Sequence, residues 1–517
     1  MYFGKNWILF ILSYMLLGSE GLKILVLFPI PARSHCNLGD GIVRHLLKAG
    51  HEITYITPFP DENANPNLRQ ISVADNLKAL VGRQFDFKSF IKSEPIMDQE
   101  SIFHLTMNIL KKTMENPDVL KLLNDQEEKF DVVIMEWMFT EIYCGFSAVF
   151  NCPFIWSFPY EPNFVGLSLI DEATSPAYTS NVLYNDIQPS TFTQRAIMLY
   201  KQITYRIKYK LFYEGIENDL YESIFKPILE KRGRVLPPYS ELKYNASLMF
   251  GNSHVSLGEA TRLPQNYISI AGHYIDDVKP LPKDLQDIMD NAKDGVIYFS
   301  LGSNLKSKDI PADMKDGLIK VFGELKQTVI WKFEEELSNL PKNVHTIKWA
   351  PQSSILAHPN CLLFITHGGL LSTTEAVHFA VPLIGIPFFI DQNFNVNQYV
   401  KKGVGLEVVL SENLVEDLKS AIHVIINDSS YGKKMKELSF VYHHRPVPPG
   451  KELVHWVEHV VKTDGALYYR SPALWMPWYQ KMFLDLAALI ASIAFIAIYA
   501  LSLLCNRKRR IEKKKMS

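Results

Sequence analysis

Short apolar runs alternate with amphipathic stretches along most of this chain. Lys23 to Phe28 (KILVLF) is an unbroken apolar run closed by Pro29, the signature of a parallel strand buried on both faces. From Leu38 to Lys48, the residues Ile42, Val43, Leu46 and Leu47 recur at helical spacing, and Gly50 ends that helix. Glu52 to Thr57 then predicts the second strand of a βαβ unit. Asp131 to Met135 and Pro153 to Ser157 predict later strands of the same sheet, and the stretch from Asp61 to Glu128 is expected to be mostly helical. A second series starts near Gly295, with strands expected at Val296–Leu301, Thr328–Lys332, Val344–Lys348, Leu362–Thr366 and Leu383–Ile386. Two doubly wound α/β domains follow from this, at 22–262 and 291–445, joined by a linker over 263–290 that includes the proline-rich stretch Leu263–Pro282. After Asn427, the spacing of Leu453, Val454, Val457 and Val460 predicts a helix over Gly450–Lys462 that returns to brace the first domain, within a returning and juxtamembrane segment at 446–481.

Both ends carry a different pattern. Lys5 followed by the apolar run Trp7–Leu17 and the small residues Gly18, Ser19 and Gly21 predicts a signal peptide over 1–21, cleaved after Gly21. A second apolar run, 482–504, is long enough to cross a hydrocarbon core of about 30 Å as a helix. Trp475, Trp478 and Tyr479 precede it as an interfacial belt, and a tail over 505–517 with Arg507, Lys508, Arg509 and Arg510 follows, which the positive-inside rule places in the cytoplasm. A single-pass type I topology results, with both α/β domains lumenal. Lys514 and Lys515 near the end are similar to a di-lysine signal for return to the endoplasmic reticulum, and sequons at Asn245 and Asn427 agree with a lumenal location.

Composition adds exclusions. The 517 residues carry a net charge of −1, which gives no electrostatic reason to expect a nucleic-acid partner. Cys36, Cys144, Cys152, Cys361 and Cys505 form no CxxC pair, which argues against a zinc site; one bridge among the first four stays open. The aromatic content, 30 Phe, 24 Tyr and 8 Trp, suits core packing and also the wall of an apolar substrate cleft. Homo- or hetero-oligomerisation is not readable from the sequence.

The densest chemistry runs from Trp349 to Gln392. It contains Trp349-Ala-Pro351-Gln352, His358-Pro359, Thr366-His367-Gly368-Gly369, Ser372, Glu375, Pro387 and Asp391-Gln392-Asn393. The Leu362–Thr366 strand delivers His367 and two glycines, which let backbone approach a ligand closely. A helix expected from Leu370 then turns its N-terminal N–H groups toward an anion such as a diphosphate. This constellation, at fixed spacing and with signal peptide, both domains and basic tail around it, resembles the UDP-glycosyltransferase family in its membrane-bound animal branch. The resemblance implies the GT-B fold, two Rossmann-like doubly wound domains facing a cleft, plus one C-terminal transmembrane helix. It implies that Trp349 stacks on uracil and that Gln352 bonds base or ribose. His367, Gly369, Ser372 and Ser303 would hold the diphosphate, Glu375 the ribose hydroxyls, and Asp391 and Gln392 the donor sugar. One departure is Leu371, where many relatives carry an Asn near the phosphates.

His35 follows the first strand, just before the Leu38 helix, at the position of the family's general base. Its orienting carboxylate is an Asp in many relatives; here Glu136 follows the Asp131–Met135 strand. The resemblance implies an inverting, metal-independent transfer of a hexose from a UDP-sugar, a co-substrate rather than a cofactor, to the hydroxyl of a small lipophilic acceptor. The chain has no DxD triplet, which agrees with it. Glucose is favoured over glucuronate as donor sugar, and the acceptor pocket is expected from 61–128 and 158–221. A nucleotide-sugar or hydrophobic-ligand carrier is the competing reading, resting on Leu371 and Glu136. A Rossmann oxidoreductase is disfavoured because no strand–GxGxxG–helix unit occurs.

Overall fold

A computed structural model describes residues 21–61, 65–79, 99–184, 191–303, 307–388 and 390–516. The predicted signal peptide lies outside the described residues except for Gly21. The first half is a seven-stranded sheet of β1 (Lys23–Leu27), β2 (Glu52–Thr57), β3 (Leu68–Ser72), β4 (Val132–Glu136), β5 (Phe154–Phe158), β6 (Leu248–Gly251) and β7 (Tyr267–Ser269). Its order is β3-β2-β1-β4-β5-β6-β7, and every pair is parallel. The second half holds β8 (Val296–Ser300), β9 (Thr328–Lys332), β10 (Val344–Ile347), β11 (Cys361–Thr366), β12 (Leu383–Gly385) and β13 (Gly405–Glu407), in the parallel order β10-β9-β8-β11-β12-β13.

The helices that carry the argument are α1 (Arg33–Lys48), α2 (Gln99–Glu115), α3 (Phe192–Lys208), α4 (Gln352–Leu356), α5 (Leu370–His378), α6 (Ile390–Lys402), α7 (Pro449–Lys462) and α8 (Leu484–Met516). Alternate strand residues feed the two faces of the first sheet. Leu25, Leu27, Met135 and Trp156 enter one apolar cluster; Ile24, Val26, Ile134 and Ile155 enter the other. This is the packing that a continuous apolar run in a covered parallel sheet requires. Helix α7 sends Leu453, Val457 and Val460 into that second cluster, so the chain returns from the rear half to the front half. Its approach is close: a Cβ on Gly450 would lie 2.1 Å from the His45 ring of α1.

Several features differ from the sequence reading, among them β6 and β13, two strands it did not expect. Helix α1 starts at Arg33 rather than Leu38, because the buried stripe extends back to Cys36 and the extended Ala32 begins the helix. His35 therefore sits in the first helical turn. Strand β7 lies inside the expected linker, so the first sheet extends through part of 263–290. Strand β3 lies in the stretch expected to be mostly helical; its half-exposed residues carry no apolar run. All five cysteines are free thiols. The globular unit ends at Arg470, and Ser471–Ser517 forms a unit of its own. Within that second unit α8 contains Leu484–Glu512, 29 residues whose most apolar 18-residue stretch has a mean hydropathy of 2.5, long and apolar enough to cross a membrane.

Candidate active site

In an open parallel sheet the ligand crevice opens at the carboxyl ends of the strands where the order reverses. Both sheets supply such a point, at β1/β4 and at β8/β11. The loops following these strands line one cleft between the halves, with a volume of about 950 Å³.

On the front wall, β1 leads into α1 and brings His35 beside Glu136, the last residue of β4. His35 Nδ1 hydrogen-bonds Glu136 Oε1; the carboxylate is fully buried and the imidazole 15% exposed. A carboxylate at Nδ1 fixes the tautomer and leaves Nε2 as the proton acceptor. Burial alone would depress the imidazole pKa; the Glu136 carboxylate outweighs it, Asp391 adds to it, and the net direction is upward. The Asp391 contribution crosses from the rear half, so the two walls are electrostatically within reach. Tyr160 meets the His35 ring edge-on, with centroids 6.5 Å apart. The neighbouring lining is apolar: Ile102, Leu105 and Ile109 of α2, with Met138, Phe139 and Val182. Residues 102–109 and 159–182 fall within the ranges expected for the acceptor pocket; Met138 and Phe139, just past Glu136, do not.

On the rear wall, a polar network links α4 to α5. The Gln352 amide donates to Ser372 Oγ (3.3 Å) and to the Glu375 carboxylate, while Tyr298 donates to Gln352 Oε1 (3.3 Å). Ser353 donates to Glu375 Oε1 at 2.9 Å. Burial pushes the Glu375 carboxyl up to about 7, opposed by these donors. Trp349 stands 67% exposed at the rim, a flat apolar surface open to stacking. Helix α5 starts at Leu370 behind Gly369 and spans nine residues, which places its free N–H groups at the cleft.

His367 follows β11 and is held between glycines. A Cβ on Gly302 or Gly369 would lie 2.6 or 2.5 Å from its ring, and Gly302 has φ +83°. Burial and the Lys332 ammonium push the His367 pKa down to about 4, so the ring is neutral at pH 7. Ser303 lines the cleft beside Gly302. Asp391 and Gln392 occupy the first turn of α6. Asn395 donates to Asp391 Oδ2 at 3.1 Å, burial raises the Asp391 pKa, and Gln392 Oε1 accepts from the Phe388 N–H at 2.8 Å. The cleft thus gathers every residue singled out from the sequence: His35, Glu136, Ser303, Trp349, Gln352, His367, Gly369, Ser372, Glu375, Asp391 and Gln392, with Glu136 alone reaching it through its bond to His35 rather than as lining.

Sequence reasoning missed Lys332. It ends β9, its side chain is 10% exposed, and it lines the cleft near His367. Its ammonium donates to the Gly302 carbonyl (2.6 Å) and to Glu334 (3.2 Å) and lies 5.7 Å from the Trp349 ring centroid. A lysine closing an apolar strand reads as a solvated end; the signal was its place at the carboxyl end of a strand adjacent to β8. Leu371 has a structural occupation. Its carbonyl accepts from Tyr274 at 2.7 Å, and its side chain packs against the front-half cluster.

Comparison with known proteins places this geometry. Solved structures share the architecture: the glycosyltransferase VinC in complex with dTDP (TM-score 0.56, 14% identity, covering 86% of this chain and 99% of that one). A complex of a UDP-glucosyltransferase from Polygonum tinctorium gives 0.55, 14%, 86% and 99%. Among curated proteins, UDP-glucosyltransferase 2 of Dactylopius coccus is 32% identical, covering 92% of this chain and 91% of the relative. UDP-glucuronosyltransferase 2B15 of Rattus norvegicus is 26% identical, covering 90% and 89%. The sequence profile described as UDP-glucoronosyl and UDP-glucosyl transferase matches residues 23–516, and the chain, a two-domain GT-B glycosyltransferase that uses a UDP-sugar, belongs to that family.

Proposed function

We propose that this enzyme transfers glucose from UDP-glucose to a hydroxyl of a small lipophilic acceptor, with inversion, and that His35 is the general base. The observation that carries the reading is the His35–Glu136 pair of the front half facing Asp391 and the His367 loop across one cleft. Nε2 of His35 takes the acceptor proton as the hydroxyl oxygen attacks the anomeric carbon, and the bond to the diphosphate breaks on the opposite face. Glu136 holds the ring and stabilises the imidazolium that forms. Trp349 stacks on uracil, Gln352 and Glu375 bond base and ribose, and Asp391 and Gln392 orient the sugar. Ser303, Ser372, Gly369 and the N-terminus of α5 receive the diphosphate.

The charge that builds on the leaving diphosphate needs a cation, and a histidine neutral at pH 7 donates only a hydrogen bond. Lys332, whose ammonium donates to the Gly302 carbonyl beside Ser303 and helps lower the His367 pKa, supplies that positive charge. The apolar patch around Ile102, Ile109 and Phe139 supports a lipophilic acceptor. Glucose is favoured because the glucosyltransferase of Dactylopius coccus is 32% identical, against 26% for the rat glucuronosyltransferase. The decisive experiment measures UDP release from UDP-glucose and UDP-glucuronate with a panel of phenols. Turnover with UDP-glucose that is lost in His35→Gln supports the reading; UDP binding without turnover by the unaltered enzyme favours a carrier.

We further propose that α8 anchors the chain in the endoplasmic reticulum membrane with the globular unit lumenal. Asn427 is exposed and Asn245 only half-exposed with a buried Ser247, so Asn427 is the better glycosylation site. Loss of an endoglycosidase-sensitive mass shift in Asn427→Gln checks both location and site.

A further inference from the structure

Helix α3 lies on the surface of the front half with two unlike faces. Met198 and Gln202 point into the protein and are buried. The outward face is apolar: Phe192 is 78% exposed, Leu199 49%, Ile203 47%, Ile207 53% and, in the wide turn Tyr209–Tyr213 that continues the helix, Leu211 69%. Leu199, Ile203, Ile207 and Leu211 recur every four residues and Phe192 lies two turns before Leu199, so the five share one stripe. A water-facing helix rarely carries such a row, and contiguous apolar surface of this kind marks a contact with another phase or molecule.

The charges identify the occupant. Residues 191–213 contain five cations, Arg195, Lys201, Arg206, Lys208 and Lys210, and no acidic residue. At 3.6 residues per turn, Arg195 and Arg206 fall along one border of the stripe and Lys201 and Lys208 along the other. Long basic side chains beside an apolar stripe can lay their stems on it and hold their charges at headgroup level. A protein partner covering the stripe would have to match both basic borders. A bilayer containing anionic lipid matches them anywhere on its surface. The same chain carries the span-length helix α8, proposed above as a bilayer anchor.

We propose that helix α3 is a second membrane contact, lying in the plane of an anionic bilayer surface with its Phe192–Leu211 stripe among the acyl chains. The proposal rests on the anchoring role of α8 and is independent of the sugar transferred. The test uses the full chain in nanodiscs of phosphatidylcholine with 30% phosphatidylserine, spin-labelled in a Cys505→Ser background at Ile203→Cys, Ile207→Cys, Val235→Cys or Ile493→Cys. Collision with oxygen, which partitions into lipid, is compared with collision with a water-soluble nickel chelate. Ile493 in α8 reports anchoring alone, and Val235, 91% exposed elsewhere on the front half, reports water. Labels at 203 and 207 are expected to favour oxygen several-fold relative to 235, and to lose at least half of that preference in Lys201→Glu/Arg206→Glu/Lys208→Glu. Water-like collisions at 203 and 207, with 493 in lipid, would overturn the contact while leaving the anchor intact. Loss of collisions with both reagents at 203 would also overturn it, since that signals a covering protein, a second copy included. A lipid-like 203 that ignores charge reversal would overturn the anionic surface as the occupant. A water-like 493 would instead defeat the anchor on which the proposal rests.

Discussion

At the scale of single residues, the site divides its work between a polarised histidine and an unpolarised one. His35 has a buried carboxylate on Nδ1 and a raised pKa; His367 has a lysine nearby and a pKa of about 4. Base strength therefore sits on the front wall and uncharged hydrogen bonding on the rear. His35→Gln is expected to lower kcat by about 10²–10⁴-fold with little change in UDP affinity, read by initial rates and calorimetry. Because the base must be neutral, kcat/KM should fall as pH drops below the raised His35 pKa. Glu136→Gln should move that acid limb to lower pH while reducing the rate. Stability runs the other way. A raised histidine pKa stabilises the fold below the unfolded-state value and loses that contribution as pH rises through the folded-state value, so the Tm gap between the wild type and Glu136→Gln should narrow with rising pH. Lys332→Met should weaken UDP binding by roughly tenfold or more, the scale of one lost charge-assisted hydrogen bond, with a flatter salt dependence, and Lys332→Arg should retain most of it. The motif residues were legible in sequence because they lie within one continuous stretch; from His367 to Glu375 their spacing is fixed by the end of β11, one turn and α5. Lys332 was not, because its role comes from the β9–β8 pairing, a contact between strands whose closest ends are separated by a helix and loops.

At the scale of elements, legibility followed apolar patterning more than burial: the fully buried β6 was missed and the half-buried β10 was expected. The central strands β1, β4, β5, β8 and β11 are mainly apolar runs, β2 alternates apolar with polar positions, and each was expected close to where it lies. The missed strands, β3, β6, β7 and β13, all lie at or next to a sheet edge. The α7 brace was expected from its apolar spacing, but not the glycine that lets it seat. A methyl group at Gly450 would overlap the His45 ring, whose Nε2 is itself 2.9 Å from the His273 carbonyl. Gly450→Ala is thus expected to lower stability by about 1–3 kcal/mol through overpacking, measured by thermal or urea unfolding. Gly215, with open space around its Cβ position, is the matched control. Alanine there is neutral or slightly stabilising, since it sits inside a helix.

At the scale of the molecule, the proposed catalysis depends on holding two walls together, and Leu371 is one place where the walls touch. Read as sequence, Leu371 was a lost phosphate donor. In the structure it belongs to a bridge: its carbonyl accepts the Tyr274 hydroxyl, and its side chain packs against the front-half core beside Tyr274. Farther along, Lys402 donates to the carbonyls of Leu257 and Gly258 at 3.0 and 2.9 Å, and Gln398 donates to Glu259 at 3.1 Å. These bonds join α6 of the rear half to the segment that follows β6. The Tyr274 bond is the one adjacent to the cleft, and it is made to the second residue of α5, the helix proposed to receive the diphosphate. Removing the hydroxyl deletes one bond between the walls; the Leu371 carbonyl keeps its helical partner, the Glu375 N–H, so the cost is about 0.5–1.5 kcal/mol, borne only by the arrangement in which the walls meet. Tyr274→Phe should therefore lower the population with the walls together, and kcat/KM with it, by roughly 2- to 12-fold. UDP affinity should change far less, because the residues proposed to hold uridine all lie on the rear wall. Small-angle scattering with and without UDP-sugar, beside steady-state rates, separates this from damage to the donor site. A compact, donor-bound Tyr274→Phe enzyme with unchanged kcat/KM would mean that α7 and the Lys402 contacts hold the walls without help from Leu371.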